Sequence, residues 1–595
     1  MCGIAALIRV RHGLTRNECM GEGEDCRGSV GLSDGSLEEW SATPPAGLSE
    51  LDISDFALDL RRLLANRGRG GYDSLRFSVD ENMGESVLEE GGEEKKVEVE
   101  FHGYRESAAR PSITSRRLLS SWASLDGRES SIEGALLWDG EDVGADFLER
   151  ISLCAAVQGG IEPCELIRLM SSVEGPWSMI YYSMRERAIW FGRDARGRRS
   201  LLVGSVRGDS DDRLEVICVS SVAMHRAGLA IKWSDVDTRG LYRFDVCQKQ
   251  IKVCPWPEKG GLRFRIDLCR SAQRPMDLDQ REVSLCSLVD ELLRLLRESV
   301  RLCIFPRGGA LASSSDWSAD DAHADVAVLF SGGLDSTILA ALVDLELPSC
   351  HSVDLINVSF GSESEVLETP DRLNATDSYR ALCAASPDRP WRLVLVDVSK
   401  EELQENLPRI TSLAYPSDTI MDISISAPLW FASRGSGVAA SVSSKPTCGW
   451  APYRSRARTL LVGTGADEQF GGYGRHRVQY RKNGWEGLQN ELNKDVARLW
   501  KRNLGRDDRV LKDHGRRVCL PYLDERLMSW VAERQLCDLV DMDLPPGEGD
   551  KYLLRLLAKR LKLGPASTLP KKAIQFGTNI VKQMPRGRGT DAFVL

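Results

Sequence analysis

The stretch Val326-Ala327-Val328-Leu329-Phe330-Ser331-Gly332-Gly333-Leu334-Asp335-Ser336-Thr337 runs directly into the apolar sequence ILAALVDL at 338–345. The apolar run reads as a buried strand, the paired glycines as a tight turn, and the continuation as a helix. Such a turn leaves the first helix amides without intrahelical partners and aims them at one point, together with the positive end of the helix dipole. That point is an anion site, and the bare backbone at Gly332 and Gly333 lets a phosphate come close. Ser331 and Ser336 add hydroxyl donors. Asp335 repels phosphate unless a cation lies between them, so its presence predicts a bridging Mg2+. The arrangement is not a P-loop with its lysine.

Outward from this turn, strand-like runs alternate with helical ones at 325–330, 353–359, 392–398 and 459–463. That order predicts an α/β unit with a parallel sheet. Before residue 255 the pattern differs. Closely spaced strand runs at 134–138, 178–182, 188–192 and 216–220 predict an α+β unit of mostly antiparallel, layered sheets. Residues 283–305 carry apolar positions at helical spacing and read as a linker helix. Segments 17–50, 80–98, 307–324 and 433–457 are rich in small, polar or charged residues and read as loops or insertions. The acidic insertion at 80–98 reads as a solvated loop, with partner binding as the alternative. The expected division is therefore 2–255, a linker at 256–324, a second domain at 325–580 and a flexible tail at 581–595.

At 595 residues the chain is too long for one core. Its net charge of −9 and the lack of a basic stripe argue against nucleic-acid and membrane-surface roles. No run approaches a membrane span. The 16 cysteines follow no Cys-x-x-Cys or zinc spacing and read as small buried hydrophobes in a reducing, cytoplasmic compartment.

The chain opens Met1-Cys2-Gly3-Ile4. Removal of Met1 would place the Cys2 thiol beside its own α-amine, so one residue would hold nucleophile and base. Cys2 alone is more readily chance or a packing residue. The whole opening, however, resembles the N-terminal-nucleophile glutamine amidotransferases, a four-layer αββα sandwich. On that resemblance Arg67, within NRGRGGYDS at 66–74, would pair with the glutamine α-carboxylate, with Asp73 near the place of the family's aspartate. A solvated loop arginine is the plain alternative for Arg67. Glu174, in Glu174-Gly175-Pro176-Trp177-Ser178, would bind the glutamine amine, and Phe191-Gly192-Arg193-Asp194 with Gly197 would close the sheet. One departure is chemical. Trp138-Asp139-Gly140-Glu141 stands where the family has Asn-Gly-Glu. The Gly140 amide remains as an oxyanion donor, but an ionised Asp139 cannot donate, and losing one donor typically costs about 10²–10³ in rate. Slow or absent glutaminase chemistry is therefore expected.

The Ser331–Ser336 turn resembles the PP-loop of ATP pyrophosphatases, which cleave ATP to AMP and pyrophosphate. Later elements follow the asparagine synthetase family in order. Leu329 and Val358, in Asn357-Val358-Ser359-Phe360, would contact the nucleoside. Gly463-Thr464-Gly465-Ala466-Asp467-Glu468 would supply a backbone contact at Gly465 and a second Mg2+ ligand at Asp467. Pro521-Tyr522-Leu523-Asp524 and Lys551-Tyr552-Leu553-Leu554-Arg555 match further family elements, and Lys551 would stabilise charge on acyl-adenylate and pyrophosphate. Taken alone, Lys551 would be an exposed helix lysine. Lys571, Lys572, Gln575 and Phe576 form the closing segment. The phrases Phe191–Asp194, Thr464–Glu468, Tyr473-x-Arg475-His476-Arg477 and Asn503–Arg509 resemble the subgroup called asparagine synthetase domain-containing proteins.

The resemblance implies glutamine, aspartate and ATP as substrates, Mg2+ as cofactor, and amidation of aspartate through an acyl-adenylate. A homodimer is compatible with the sequence, which leaves oligomeric state open. Two departures bear on the acceptor. Thr464 replaces a family Glu, and Arg517 and Cys519 replace a Glu-x-Arg pair; loss of charges that touch substrate would cost several powers of ten. Three readings follow: a working asparagine synthetase-like ligase, an ATP-binding but impaired relative with a regulatory or interaction role, and a ligase for another carboxylate.

Overall fold

The computed structural model describes residues 4–10, 72–80, 96–104, 134–140, 163–183, 186–206, 215–223, 231–246, 248, 250–257, 278–305, 323–440 and 450–584. Cys2, Arg67 and most of the insertions at 17–50, 80–98 and 307–324 lie outside them.

The first eleven strands are β1 (Ile4–Val10), β2 (Tyr72–Asp80), β3 (Lys96–Tyr104), β4 (Gly134–Gly140), β5 (Trp177–Ser183), β6 (Ala188–Arg193), β7 (Leu202–Val206), β8 (Glu215–Ser220), β9 (Lys232–Asp235), β10 (Gly240–Asp245) and β11 (Gln250–Pro255). They form two sheets, ordered β2-β3-β1-β8-β7-β9 and β11-β10-β6-β5-β4. Every pairing is antiparallel, as the short alternating runs predict. Ile180, Tyr182, Ile189 and Phe191 of one sheet meet Val203, Ile217 and Val219 of the other in a shared core. Helix α1 (Pro163–Ser171) covers the outer face of the second sheet through Leu166, Met170, Met179 and Trp190. The helical layer expected on the opposite side falls outside the described residues. The strand ends Asp80 and Lys96–Glu98 correct the expected loop boundaries at 80–98, since the strand pairing of β2 with β3 runs through them.

Helix α2 (Leu278–Ile304) is the expected linker, with Leu292, Leu296 and Val300 fully buried. The second sheet system holds β12 (Val326–Leu329), β13 (Val353–Phe360), β14 (Trp391–Val398), β15 (Ser436–Ala440), β16 (Trp450–Arg454), β17 (Thr459–Leu461) and β18 (Arg517–Cys519), in the order β16-β15-β14-β13-β12-β17-β18. The five strands from β14 to β18 across β12 are parallel. β15 and β16 are not. They form an antiparallel hairpin on the β14 edge, which corrects both the all-parallel expectation and the reading of 433–457 as loop. Their Ser, Gly and Arg content suits an edge whose outer strand faces water.

Strand alternation decides the layers. Val326 and Val328 face one core with α2, α3 (Leu334–Glu346), Ala375 of α4 (Pro370–Ala385) and Leu553 and Leu557 near residue 555. Ala327, Ile356 and Val394 face the other core with α5 (Lys400–Ala414) and α6 (Ile420–Arg434). Four further helices follow: α7 (Gly474–Leu499), interrupted by non-helical geometry at Asn483 and Gly484, α8 (Gly505–Lys512), α9 (Glu525–Ala532) and α10 (Tyr552–Arg560). Met584 packs into the second core, so the expected tail begins no earlier than the following residue. Among the described residues no cysteine is in a disulfide; Cys218 and Cys519 are buried, but Cys286 and Cys350 are exposed, so burial is not their common rule. No helix among the described residues is long and apolar enough to cross a membrane.

Candidate active site

The Ser331-Gly332-Gly333 turn sits at the carboxyl end of the central strand β12, the position where open parallel sheets bind ligands. Gly333 caps α3, and Ser336 and Thr337 donate their hydroxyls to its carbonyl at 3.2 and 2.8 Å. Ser331 Oγ accepts from the Gly333 amide at 3.3 Å. Gly332 has φ +73°, and a Cβ there would lie 2.2 Å from the amide nitrogen of Ala375. Only glycine satisfies both conditions. Helix α4 locks this geometry, because Ser378 Oγ donates to the Gly332 carbonyl at 2.7 Å. Asn357 adds a second brace: its side-chain amide donates to the carbonyls of Phe330 and Asp371 at 3.0 and 3.2 Å, and its oxygen accepts from Arg372 Nε at 2.7 Å.

Opposite the turn, Gly463-Thr464-Gly465 follows β17 and leads into Asp467. Lys551 lies between two carboxylates: its Nζ is 2.5 Å from Asp335 Oδ2 and 2.7 Å from Asp467 Oδ1. Lys571 pairs with the other Asp467 oxygen. Burial and the neighbouring Asp467 lift the Asp335 carboxyl above the usual range, against the pull of Lys551. Burial would also lift Asp467, but Lys551 and Lys571 outweigh it and hold that carboxyl low. The same two carboxylates outweigh the burial of Lys551 and raise its pKa. Lys551 is fully charged in consequence.

Lys551 also stands at the N-cap of α10 with φ +54°. A left-handed side-chain-bearing residue costs about 1–2 kcal/mol, a strain that concentrates at functional sites. Gly472 makes room for the triad, since a Cβ there would meet Asp467 Oδ1 at 2.0 Å and Lys551 Cε at 2.3 Å. Two carboxylates facing an anion turn form a donor set for a divalent cation whose remaining ligands are phosphate and water oxygens. Asp335 Oδ1 is buried without a hydrogen-bond partner, as a cation ligand in waiting would be. The residues present fit such an ion.

The cavity around these groups has a volume of about 940 Å³. Leu329, Ser331, Gly333, Asp335, Ser336, Val358, Gly465, Asp467 and Lys551 all line it, so the sequence-predicted nucleotide residues converge, with Gly332 forming the turn behind them. Thr464 lines it too. Residues 416–419, Met421, Asp422, Arg498, Leu499, Lys501 and Arg502, which the motifs did not reveal, also line it, together with Asn503 and Arg506 of the Asn503–Arg509 phrase. Arg506 is held there by Asp422 at 2.6 Å and by Asp507 at 2.9 Å.

Arg517 and Cys519 are elsewhere. Both side chains bond the Cys303 carbonyl at the end of α2, and Arg517 also donates to Thr459 Oγ1 at 3.0 Å. A guanidinium at a helix C-terminus is a stabilising contact. Their departure from the family pattern is thus a matter of helix docking, which corrects the expectation that it removes charges from the acceptor pocket.

Of the predicted amidotransfer residues, Cys2 and Arg67 lie outside the described residues, and Glu174 does not line this cavity. Glu174 lies at a crevice of about 90 Å³ between the two sheet systems, beside Gly175, Arg198, Glu525 and Arg526. Asp139 and Gly140 end β4, paired in register with Ser178 and Trp177.

Comparison with known proteins places this geometry. The asparagine synthase family pattern matches residues 318–486. Asparagine synthetase domain-containing protein 1 of Bos taurus is 33% identical over 519 residues, covering 70% of this chain and 79% of its own. The chain belongs to the asparagine synthetase domain-containing proteins. The Homo sapiens protein of the same name is 33% identical over 518 residues, with the same coverage. A putative glutamine-hydrolysing asparagine synthetase of Methanocaldococcus jannaschii is 31% identical over 205 residues, or 34% of this chain and 31% of that one.

The chain just beyond one of the phrases that resemble the domain-containing proteins meets another of them. After Phe191–Asp194, Ser200 N donates to Asp508 Oδ2 at 3.0 Å and Arg199 pairs with the same carboxylate at 3.4 Å. From 503–509, Arg509 donates to Ser200 Oγ at 2.9 Å and meets Asp235 at 3.4 Å. A third phrase, Tyr473 to Arg477, buttresses the cavity and meets the fourth, Thr464–Glu468: Tyr473 Oη donates to Glu468 at 2.6 Å, and Arg475 and His476 share Asp495 at 2.6 and 2.8 Å.

Proposed function

We propose that this chain is an ATP-dependent carbon–nitrogen ligase that adenylates the β-carboxylate of aspartate and lets ammonia displace AMP. The Ser331–Ser336 turn would hold the nucleotide phosphates through bare amides and hydroxyls. Asp335 and Asp467 would carry Mg2+, which when bound neutralises phosphate charge during the transfer. A carboxylate oxygen of the acceptor attacks the α-phosphorus, the bond to the β-phosphate oxygen breaks, and pyrophosphate leaves. Ammonia then attacks the mixed anhydride at its acyl carbon, loses a proton, and AMP departs. Lys551 stabilises charge on the phosphoryl oxygens in both steps, and its pairing with both carboxylates keeps it charged and aimed at the turn. Cys2 would supply ammonia from glutamine, with Arg67, Glu174 and the Gly140 amide holding the substrate, at a rate limited by Asp139.

The observation that carries this reading is the Asp335–Lys551–Asp467 triad facing the turn across one cavity. Purified protein incubated with ATP, Mg2+, ammonia and aspartate should yield equimolar AMP and asparagine, and Lys551→Ala should cut the yield by about 10²-fold or more. No asparagine above that variant would remove aspartate amidation.

Thr464 on the cavity wall favours a second reading, an ATP-binding relative that does not turn aspartate over. It requires stabilisation by ATP with no AMP released under the same conditions.

A further inference from the structure

A line of polar contacts, linked through the covalent step from Tyr522 to Leu523, runs from the phosphate turn into the antiparallel sandwich. Tyr522 Oη donates to the main-chain carbonyl of Asp335 at 3.1 Å. One residue on, Leu523 packs against Gly465, where a Cβ would meet its Cδ2 at 2.4 Å, and its carbonyl accepts from Arg198 Nη1 at 2.9 Å. Arg198 Nη2 pairs with Glu525 Oε1, which also accepts from the Gly175 amide at 3.0 Å. Arg198 Nε donates to Asp194 Oδ1 at 3.0 Å. Asp194 Oδ2 accepts from the Trp177 amide at 3.3 Å and from the Arg198 amide at 3.1 Å. Trp177 opens β5 directly opposite Gly140, the last residue of β4.

We infer that Arg198 is a positioning residue through which the state of the phosphate turn sets the Gly140 end of β4. The inference rests on the reading that the turn binds Mg-ATP and that the Gly140 amide serves the amidotransfer half. Three properties of the line support it. Arg198 and Asp194 are only 4% and 3% exposed, so their contacts are little weakened by water. The guanidinium uses its three nitrogens on both bodies at once, and its rigid fork cannot shift one contact without disturbing the others. Pro521, Tyr522 and Leu523 are buried at one end of this segment, and Glu525 is fixed by Arg198 and the Gly175 amide at the other, so a displacement at Asp335 is passed on rather than absorbed. Ligand binding would supply the displacement, because Asp335, now paired with Lys551, would take a phosphate-bound cation as its partner instead.

The test is hydrogen–deuterium exchange of the full chain with and without Mg-ATP, alongside calorimetry of Mg-ATP binding. In the wild-type protein Mg-ATP should slow exchange of peptides covering 134–140 and 174–178 by about threefold or more. Arg198→Lys keeps the charge but loses the fork, and Glu525→Gln keeps the shape but loses the ion pair. Both should bind Mg-ATP within about threefold of wild type and show no distal slowing. If Arg198→Lys does not fold, Glu525→Gln decides. Wild-type binding without distal slowing, or slowing that persists in the variants, overturns the inference alone. Absence of Mg-ATP binding to wild type overturns it together with the proposed function, and the calorimetry tells the two failures apart.

Discussion

A few residues at this site carry geometry that no other side chain could supply, and they were the legible ones. Gly332 and Gly333 announced an anion turn because adjacent glycines between an apolar strand and an apolar helix have few other uses. Gly332→Ala should abolish Mg-ATP binding and lower the melting temperature, since its Cβ would combine a left-handed conformation with a 2.2 Å contact to Ala375. The conformation alone costs about 1–2 kcal/mol, and the contact adds to it. A thermal melt with and without Mg-ATP checks both parts. Lys551 was legible only through its motif, because nothing in its local sequence says that it is buried between two carboxylates. Arg517 and Cys519 were misplaced for the converse reason. A motif position suggests a pocket, but the chain turns that strand toward the end of α2, where Arg517 finds a carbonyl to cap.

Elements were read well where periodicity was strong. α2, α3 and the parallel strands β12, β13, β14 and β17 fall within a few residues of expectation, because each buries an apolar face or run. The hairpin β15–β16 was missed: an edge strand gains its hydrogen bonds from β14 and needs no apolar pattern of its own. The braces behind the turn were equally invisible. Asn357 is one of three polar residues in a largely apolar strand, and only the fold shows that it ties β13 to the turn and to α4. Asn357→Ala should destabilise the protein by about 1–3 kcal/mol, because the Phe330 carbonyl and Arg372 Nε each lose a buried partner. Urea titration measures this, and a change below about half that lower bound would mean that water replaces the amide.

At the scale of the whole molecule, charged side chains join the two sheet systems, and among the described residues no apolar cluster spans both. Asp508 and Arg509 reach Ser200, Arg199 and Asp235, while Glu525 reaches Arg198 and Gly175. Sequence reading flagged the stretches that hold Gly175, Asp508 and Arg509 but not their partners, since pairing across about 300 positions leaves no local pattern. Burial would lift Glu525, but Arg198 and the backbone amides hold it at about 2, below its ordinary value of 4.5. A depressed carboxyl stabilises the fold above its unfolded pKa and loses that contribution as pH falls toward the folded one. The stability gap between wild type and Glu525→Gln should therefore be largest above pH 4.5 and shrink as pH falls toward 2. Denaturant midpoints of both proteins at about pH 6 and about pH 3 read this directly; a gap that does not shrink would show that Glu525 contributes shape rather than charge.

Everything proposed for the second sheet system depends on nucleotide phosphates occupying the turn with a cation on Asp335. Titration calorimetry of Mg-ATP into wild-type protein and into Asp335→Ala tests that most directly. One site should bind in the wild type, and the variant should bind at least about tenfold more weakly, a loss of about 1.4 kcal/mol. No binding to the wild type, or equal affinity in the variant, would contradict it.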